Sequence, residues 1–514
     1  MSSGERINLT TSSDSKSSDF EIDSKHTGSE KVLGNILSLG TAEVAASAIG
    51  FLGISYLARR LGPEGFGIIG FAAAFFGYAG LAVTAGFDDV GAREIARRQS
   101  EATKVAATVI LMRLVFAVVA LLVLSTIVIW FFDKPRIVKQ VVILMGLLLF
   151  PMALNTSWVY KGLERNRPAA VALILGQALY VLSIFLVVKN SQHVIFVPMA
   201  QFIGELAAAL LLAVPLFWAS GIRFDFRGGW IILHGSSIRT LTRVSRLLLF
   251  TFDVVFIGFV LGEKAVGLYT APYRICLLLV AIAAAIHVSY LPSLTRALAS
   301  NLKQVNLVMA GAVEVAAAIA FPVLVGGVVL ATPLLVAVFG RDYSEGANAF
   351  RLLLLSVAFM FIHTASRNLL LVSNRLKLEF ALIGAATFVN ISLNLFVIPR
   401  YGLVGAAFTT ALCEGLVLLG GVIIIYRLGV RLPWAISLRP IAAAGVMGIS
   451  LLLLGTRGLI LSILLGGLIY VVTLAAFRGF PQDLRPYLQE HGSSASGWRA
   501  KLNAAFLGFI AVRD

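Results

Sequence analysis

Runs of about twenty mostly apolar residues recur along the whole chain, and they limit the fold more than any other feature of the sequence. They lie at about 33–58, 66–86, 105–131, 140–159, 169–188 and 194–218, and then at about 247–261, 270–292, 305–332, 347–372, 379–398 and 402–426, with two more at about 436–454 and 458–477. Runs of this length match the hydrocarbon thickness of a bilayer. Because lipid offers backbone groups no hydrogen-bonding partner, each run has to close its bonds internally as a helix. The period-two alternation of a membrane β-barrel is absent. The chain is 59% hydrophobic and 13% charged, against about 25% charged in soluble domains. The expected fold is therefore all-α and polytopic, with about 14 transmembrane helices.

The runs fall into two similar sets. Leu61-Gly62-Pro63-Glu64-Gly65-Phe66-Gly67 returns as Leu261-Gly262-Glu263-Lys264-Ala265-Val266-Gly267 at an offset of 200 residues. Gly162-Leu163-Glu164-Arg165 is echoed by Ser373-Asn374-Arg375 with the arginines 210 apart, and Gly204-Glu205 by Cys413-Glu414 at 209. A fixed offset marks an internal repeat, so the expected organisation is two pseudo-symmetric six-helix lobes plus two extra C-terminal helices. The expected boundaries are a disordered cytoplasmic tail at 1–32, an N-lobe at 33–218, a basic connection at 219–246, a C-lobe at 247–428, the last two helices at 429–478, and a tail at 479–514. In that tail Trp498, Leu502, Ala505, Phe506 and Phe509 recur at helical spacing, which fits either a short interfacial helix or chance.

The formal net charge of +16 raises nucleic acid as a partner, but the Lys and Arg residues stand in short clusters between apolar runs. Membrane topology accounts for that pattern better than nucleic-acid binding. The even-numbered loops carry Arg93, Arg97, Arg98, Lys104, Lys161, Arg165, Arg296, Lys303, Arg375, Lys377 and others, while the odd loops carry fewer. Both termini are expected on the cytoplasmic side. Six helices per lobe preserve the direction of insertion, so the repeats should be parallel.

Charges at membrane depth cost about 2.5–3.5 kcal/mol on insertion scales and tend to face a cavity or a partner. Arg113, Arg274 and Arg367 lie inside apolar runs. Each either lines a water-filled cavity or forms a structural ion pair. Glu43, Glu205, Asp253, Glu314 and Glu414 also fall inside such runs and are candidates for neutralising those arginines or for a coupling-ion site. The matched positions of Glu205 and Glu414 suggest a shared role. His363 stands one turn before Arg367 and is expected to be neutral and hydrogen-bonded. Asn390 and Asn394 share a helix face, as do Gln177 and Tyr180, which fits hydrogen bonds between helices or a polar path for sugars. Cys276 and Cys413 sit in apolar runs and suggest no disulfide. There is no GxxxxGK[ST], HExxH or GxSxG motif, and the six histidines do not cluster. No enzymatic activity, cofactor or metal is expected.

In Arg60-Leu61-Gly62-Pro63-Glu64-Gly65-Phe66-Gly67, in Trp158-Val159-Tyr160-Lys161-Gly162-Leu163-Glu164-Arg165, and in Asp253 through Tyr269, the chain resembles the Wzx-type polysaccharide and oligosaccharide flippases of the multidrug/oligosaccharidyl-lipid/polysaccharide exporter superfamily. The run from Asn390 to Ala407 carries most weight, and the match extends over about residues 33–477. The resemblance implies alternating-access transport of a polyprenyl-diphosphate-linked oligosaccharide from the cytoplasmic to the outer face of the cell's inner or plasma membrane. Arg113, Arg274 and Arg367 are then expected to contact the anionic headgroup, with Arg59 and Arg60 at the outer mouth. Expected partners are the lipid-linked oligosaccharide, membrane lipids and other polysaccharide assembly proteins, with no nucleic acid. The competing readings are a cation-coupled small-molecule exporter of the same superfamily, a non-transporting membrane scaffold, and a polymerase or ligase.

Overall fold

The structure, a computed structural model, describes residues 23–84, 87–218, 221, 224, 237–432, 435–455, 458–477 and 479. Among these there is no strand. The helices are α1 (Asp23–Thr84), α2 (Phe87–Arg97), α3 (Ala102–Phe131), α4 (Arg136–Gly146), α5 (Leu149–Leu154), α6 (Ser157–Gly162), α7 (Asn166–Val187), α8 (Phe196–Trp218), α9 (Ser237–Leu261), α10 (Glu263–Ser300), α11 (Leu302–Val329), α12 (Ala331–Phe339), α13 (Ala347–Val372), α14 (Leu376–Arg427), α15 (Ala435–Leu454) and α16 (Leu459–Ala476). Helix α1 begins inside the stretch expected to be a tail, and α9 takes in the end of the basic connection. The aromatic stripe at 498–509 lies outside the described residues.

Among the described residues twelve helical segments are long and apolar enough to cross a membrane. Two of them, Ala42–Thr84 with 43 residues and Leu376–Arg427 with 52, would reach about 65 and 78 Å as straight rods at about 1.5 Å per residue. Each is about twice the ~30 Å core of a bilayer or more. Each also breaks once, at Gly62 (φ 68) and at Gly402 (φ 59), a left-handed backbone that glycine adopts without a Cβ clash. Each half is long enough to cross by itself, so the twelve segments make fourteen passes, the number expected. The chain is a multi-pass, all-α membrane protein.

The chain divides into two compact units. One runs through the described residues up to Ala271 and takes in Asn394–Gly402, and the other holds Pro272–Leu393 and the described residues from Leu403 onward. In the first unit the opening limb of α1 runs parallel to α7. A Cβ on Gly50 would meet Gln177 and one on Gly53 would meet Val181, while the Tyr56 hydroxyl donates to the Val188 carbonyl at 2.8 Å. The returning limb runs antiparallel to α9, with Phe71 against Gly258 and Gly77 against Leu247. Helices α7 and α8 cross at glycines: a Cβ on Gly176 would lie 2.8 Å from the Gly204 carbonyl oxygen, and one on Gly204 2.5 Å from that of Gly176. Small residues at such crossings let backbones approach where lipid provides no hydrophobic drive.

The two copies of the sequence repeat meet each other in this unit. A Cβ on Gly67 would fall on the carbonyl oxygen of Glu263, and one on Gly267 on that of Pro63. Beside this contact Lys134 donates to the Gly258 carbonyl at 2.6 Å and to Glu263 Oε1 at 2.9 Å. Its ammonium lies 5.7 Å from the Phe71 ring centre.

In the second unit the buried polar groups form a short network. His287 Nε2 lies 2.6 Å from the Phe361 carbonyl oxygen, Asn368 Nδ2 donates to the His287 carbonyl at 2.9 Å, and His363 Nε2 lies 2.9 Å from Glu414 Oε2. Around it Leu294, Met309, Ala312, Leu369 and Ile425 are buried together.

Gly67→Ala is expected to lower thermal stability in detergent by the equivalent of about 1–3 kcal/mol, the usual range for overpacking. Gly384→Ala, where an added Cβ meets nothing within 4 Å, should leave the melting temperature unchanged. Equal melting temperatures for the two variants would contradict the close contact at Gly67.

Candidate functional site

The fourth apolar run, expected as one helix over 140–159, is instead three pieces, α4, α5 and α6. Proline explains the first break. Pro151 has no N–H to donate to the Leu147 carbonyl, and the Phe150 amide takes that carbonyl at 3.1 Å in a tighter turn. At the second break Asn155 is extended (φ −67, ψ 117), and its side-chain Oδ1 accepts from the Ser157 amide at 2.9 Å. This is the local turn that Asn forms in competition with a helix.

A break at membrane depth leaves backbone carbonyls without helical partners. Arg113 reaches one of them, with Nη1 3.5 Å from the Asn155 carbonyl oxygen, while Nη2 pairs with Asp88 Oδ1 at 2.6 Å. Its guanidinium lies 5.7 Å from the Phe87 ring centre and 5.6 Å from that of Trp158. Arg113 is 1% exposed. A guanidinium suits such a place because it has five donors in a plane and stacks on aromatic faces.

The break also borders a cleft of about 180 Å³ within the first unit. Asn155, Ser157 and Lys161 border it from α6 and the turn before it, Glu43 from the first limb of α1, Gln177 and Tyr180 from α7, and Gln201 and Glu205 from α8. The Gly176–Gly204 crossing forms its base together with Ala172, Ala208 and Leu212. The carboxylates of Glu43 and Glu205, the ammonium of Lys161 and the amides of Gln177 and Gln201 make no hydrogen bond or ion pair with another described residue. Glu43, Lys161 and Glu205 are exposed, so these groups are open to solvent or to a ligand. The cleft can therefore receive a small polar guest through donors and acceptors of both kinds.

The other expected site residues lie apart. Arg59 and Arg60 are exposed at the end of the first limb of α1, with Arg60 5.3 Å from the Tyr56 ring centre. Arg274 is half-buried on α10. Arg367 is 47% exposed and its Nε pairs with Glu379 Oε1 at 3.0 Å. Glu314 is buried on α11, and Asp253 is buried on α9, where it accepts from the Tyr269 hydroxyl and from the Val254 amide at 2.8 Å. Glu205 and Glu414 prove unlike: Glu205 borders the cleft, whereas Glu414 is buried against His363. The carboxylates that pair with Arg113 and Arg367 are Asp88 and Glu379, neither of them among those expected. Cys276 and Cys413 are buried and unbridged.

Sequence reasoning missed Asp88, Asn155, Ser157, Lys161 and Gln201 as site groups. Asp88 stands outside the apolar runs and Glu379 is the first residue of one, so their depth was not apparent. Pro151 and Asn155 four residues apart were a usable signal for the break.

A family model described as "Polysaccharide biosynthesis protein" matches residues 32–298, more than half of the 514 residues. The chain is 25% identical over 248 residues to "Putative O-antigen transporter" of Escherichia coli (strain K12), covering 46% of this chain and 58% of that protein. It is 27% identical over 259 residues to "Probable flippase AglR" of Haloferax volcanii, covering 49% of this chain and 53% of that one. The chain thus spans little more than half the length of these two relatives. The solved structure described as "Lipid II flippase MurJ, inward closed conformation" matches with a TM-score of 0.73 at 15% identity, covering 86% of this chain and 98% of that chain. At that identity the likeness is one of fold.

Replacing Asp88 with Asn strands the buried Arg113 charge and is expected to destabilise the protein by on the order of 3 kcal/mol. Adding Arg113→Met in the same chain should recover much of that loss. Melting curves in detergent for the two single variants and the double variant measure the coupling, and strictly additive losses would show that the pair carries no such energy.

Proposed function

The chain belongs to the polysaccharide biosynthesis protein family, and from that membership we propose that it is a flippase for a polyprenyl-diphosphate-linked oligosaccharide, a transporter with no catalytic chemistry of its own. Family membership carries this reading. The names of the two relatives and the fold shared with a lipid II flippase support it. The direction of transport is from the cytoplasmic to the outer face of the inner or plasma membrane. The bias of Lys and Arg toward the even loops supports cytoplasmic termini.

In this reading the division of labour follows exposure. Arg59 and Arg60 in the first unit and, separately, Arg367 in the second present guanidinium groups at the surface, where each can engage a diphosphate by charge-assisted, forked hydrogen bonds. Arg274 contributes from the boundary between the units' sequences. Arg113 acts indirectly, holding the break in the fourth pass that borders the cleft. Glu43, Glu205, Asp253, Glu314 and Glu414 remain the candidates for coupling.

Purified protein in vesicles containing a fluorescent polyprenyl-diphosphate oligosaccharide should render the inner-leaflet label accessible to a membrane-impermeant quencher. Protein-free vesicles should keep about half of it protected. Arg59→Ala/Arg60→Ala and Arg367→Ala are each expected to slow that exchange several-fold at equal protein level. Wild-type protein that leaves the label protected would overturn the reading.

A further inference from the structure

The cleft in the first unit is poorly suited to the diphosphate. Its ionic groups are two carboxylates, Glu43 and Glu205, and one ammonium, Lys161, with no guanidinium among its lining residues. Carboxylates beside a diphosphate repel it, and the remaining groups are amides and hydroxyls. That inventory matches an uncharged ligand rich in hydroxyls. Glu and Gln oxygens accept from vicinal hydroxyls, amide and ammonium groups donate to them, and the apolar base can meet the C–H face of a sugar ring.

The internal repeat gives an independent comparison. At the offsets of 209 and 210 residues, Glu205 corresponds to Glu414, Gln201 to Thr410, Gln177 to Thr387 and Tyr180 to Asn390. The second-half residues are polar too, but they are closed in: Asn390 is 0% exposed, Thr410 1%, Glu414 2% and Thr387 5%. Glu414 is satisfied by His363, and Thr387 and Thr410 bond to their own helix. The same helix pair is thus closed in one half, with Glu414 held by His363 and the threonines turned onto their own helices. In the other it is left open, and Gln177, Gln201 and Glu205 make no bond with another described residue. The opening is specific to the first half and does not follow from the repeated architecture.

We propose that the cleft lined by the first limb of α1, α7, α8 and the Asn155 turn is a saccharide subsite that binds a hydroxyl-bearing sugar unit of the carried glycan, separate from the arginines that take its diphosphate. The proposal rests on the flippase reading for the identity of the glycan, and on the cleft's own chemistry for its binding. It gives Lys161 and Gln201 roles in choosing which glycan is carried.

The test uses full-length protein in detergent and two probes measured by calorimetry. One is the oligosaccharide released by mild acid from the producing cell's lipid-linked pool, and the other is inorganic pyrophosphate. Wild type should bind both without competition. Gln201→Leu and, separately, the isosteric Glu205→Gln should each weaken the saccharide at least tenfold and leave pyrophosphate unchanged, while Arg59→Ala/Arg60→Ala should do the reverse. Melting curves confirm that each variant is folded, and Glu205→Gln serves if Gln201→Leu is not. The proposal is overturned if wild type binds no saccharide, if the saccharide affinity survives both cleft changes, or if those changes weaken pyrophosphate equally. It is also overturned if the changes alter only the pH or sodium dependence of flipping, which would make the cleft a coupling site. Saccharide binding with no flipping in vesicles would leave the subsite standing and refute the flippase reading.

Discussion

A backbone inside hydrocarbon has to satisfy its own hydrogen bonds, and the structure is ordered by where the chain departs from that rule. Gly62 and Gly402 let the chain reverse between two passes, where turns meet water. The Asn155 break is different, because it lies within a pass. It persists because Arg113 reaches the freed carbonyl and because the Asn155 side chain engages the Ser157 amide. Arg113 can itself be buried only because Asp88 and the rings of Phe87 and Trp158 receive its charge. Asn155 and Ser157 border the cleft while Arg113 and Asp88 do not line it, so its shape depends on an ion pair that does not touch it.

The two halves show how one plan accommodates two outcomes. Both place polar residues on the facing surfaces of their fifth and sixth passes. In the second half Glu414, Thr387 and Thr410 find partners within the protein, and the surfaces close on them. In the first, glycines at 176 and 204 bring the helices into contact at the base while the groups above stay apart. Burial of a hydrogen-bonded polar group is tolerable, and burial of an unbonded one is not. The choice of partner therefore decides whether the same face becomes core or cleft.

The number of passes and the repeat were legible because each rests on local pattern: apolar length for the passes, and a fixed offset for the copies. Glu43 and Glu205 stood out for the same reason, being carboxylates inside apolar runs, and both border the cleft. Their partners and neighbours were harder to see. Asp88 approaches Arg113 from the start of α2, 25 residues away in sequence, and no periodicity connects them. The likeness of Glu205 and Glu414 in sequence concealed a difference set by His363, which arrives from another helix. The split of the fourth pass was written in Pro151 and Asn155, yet an average over twenty apolar residues smooths such a break away.

The meeting of Gly67 with Glu263, and of Gly267 with Pro63, ties together parts of the chain made far apart in time. At about 5–20 residues per second, roughly ten to forty seconds of synthesis separate the earlier turn from the one that packs on it. Until α9 and the start of α10 have been inserted, the first six passes wait in the membrane with a glycine-notched edge uncovered. The early half must therefore hold its place in lipid on the strength of its own crossings, and its assembly is finished by a segment encoded in the later half.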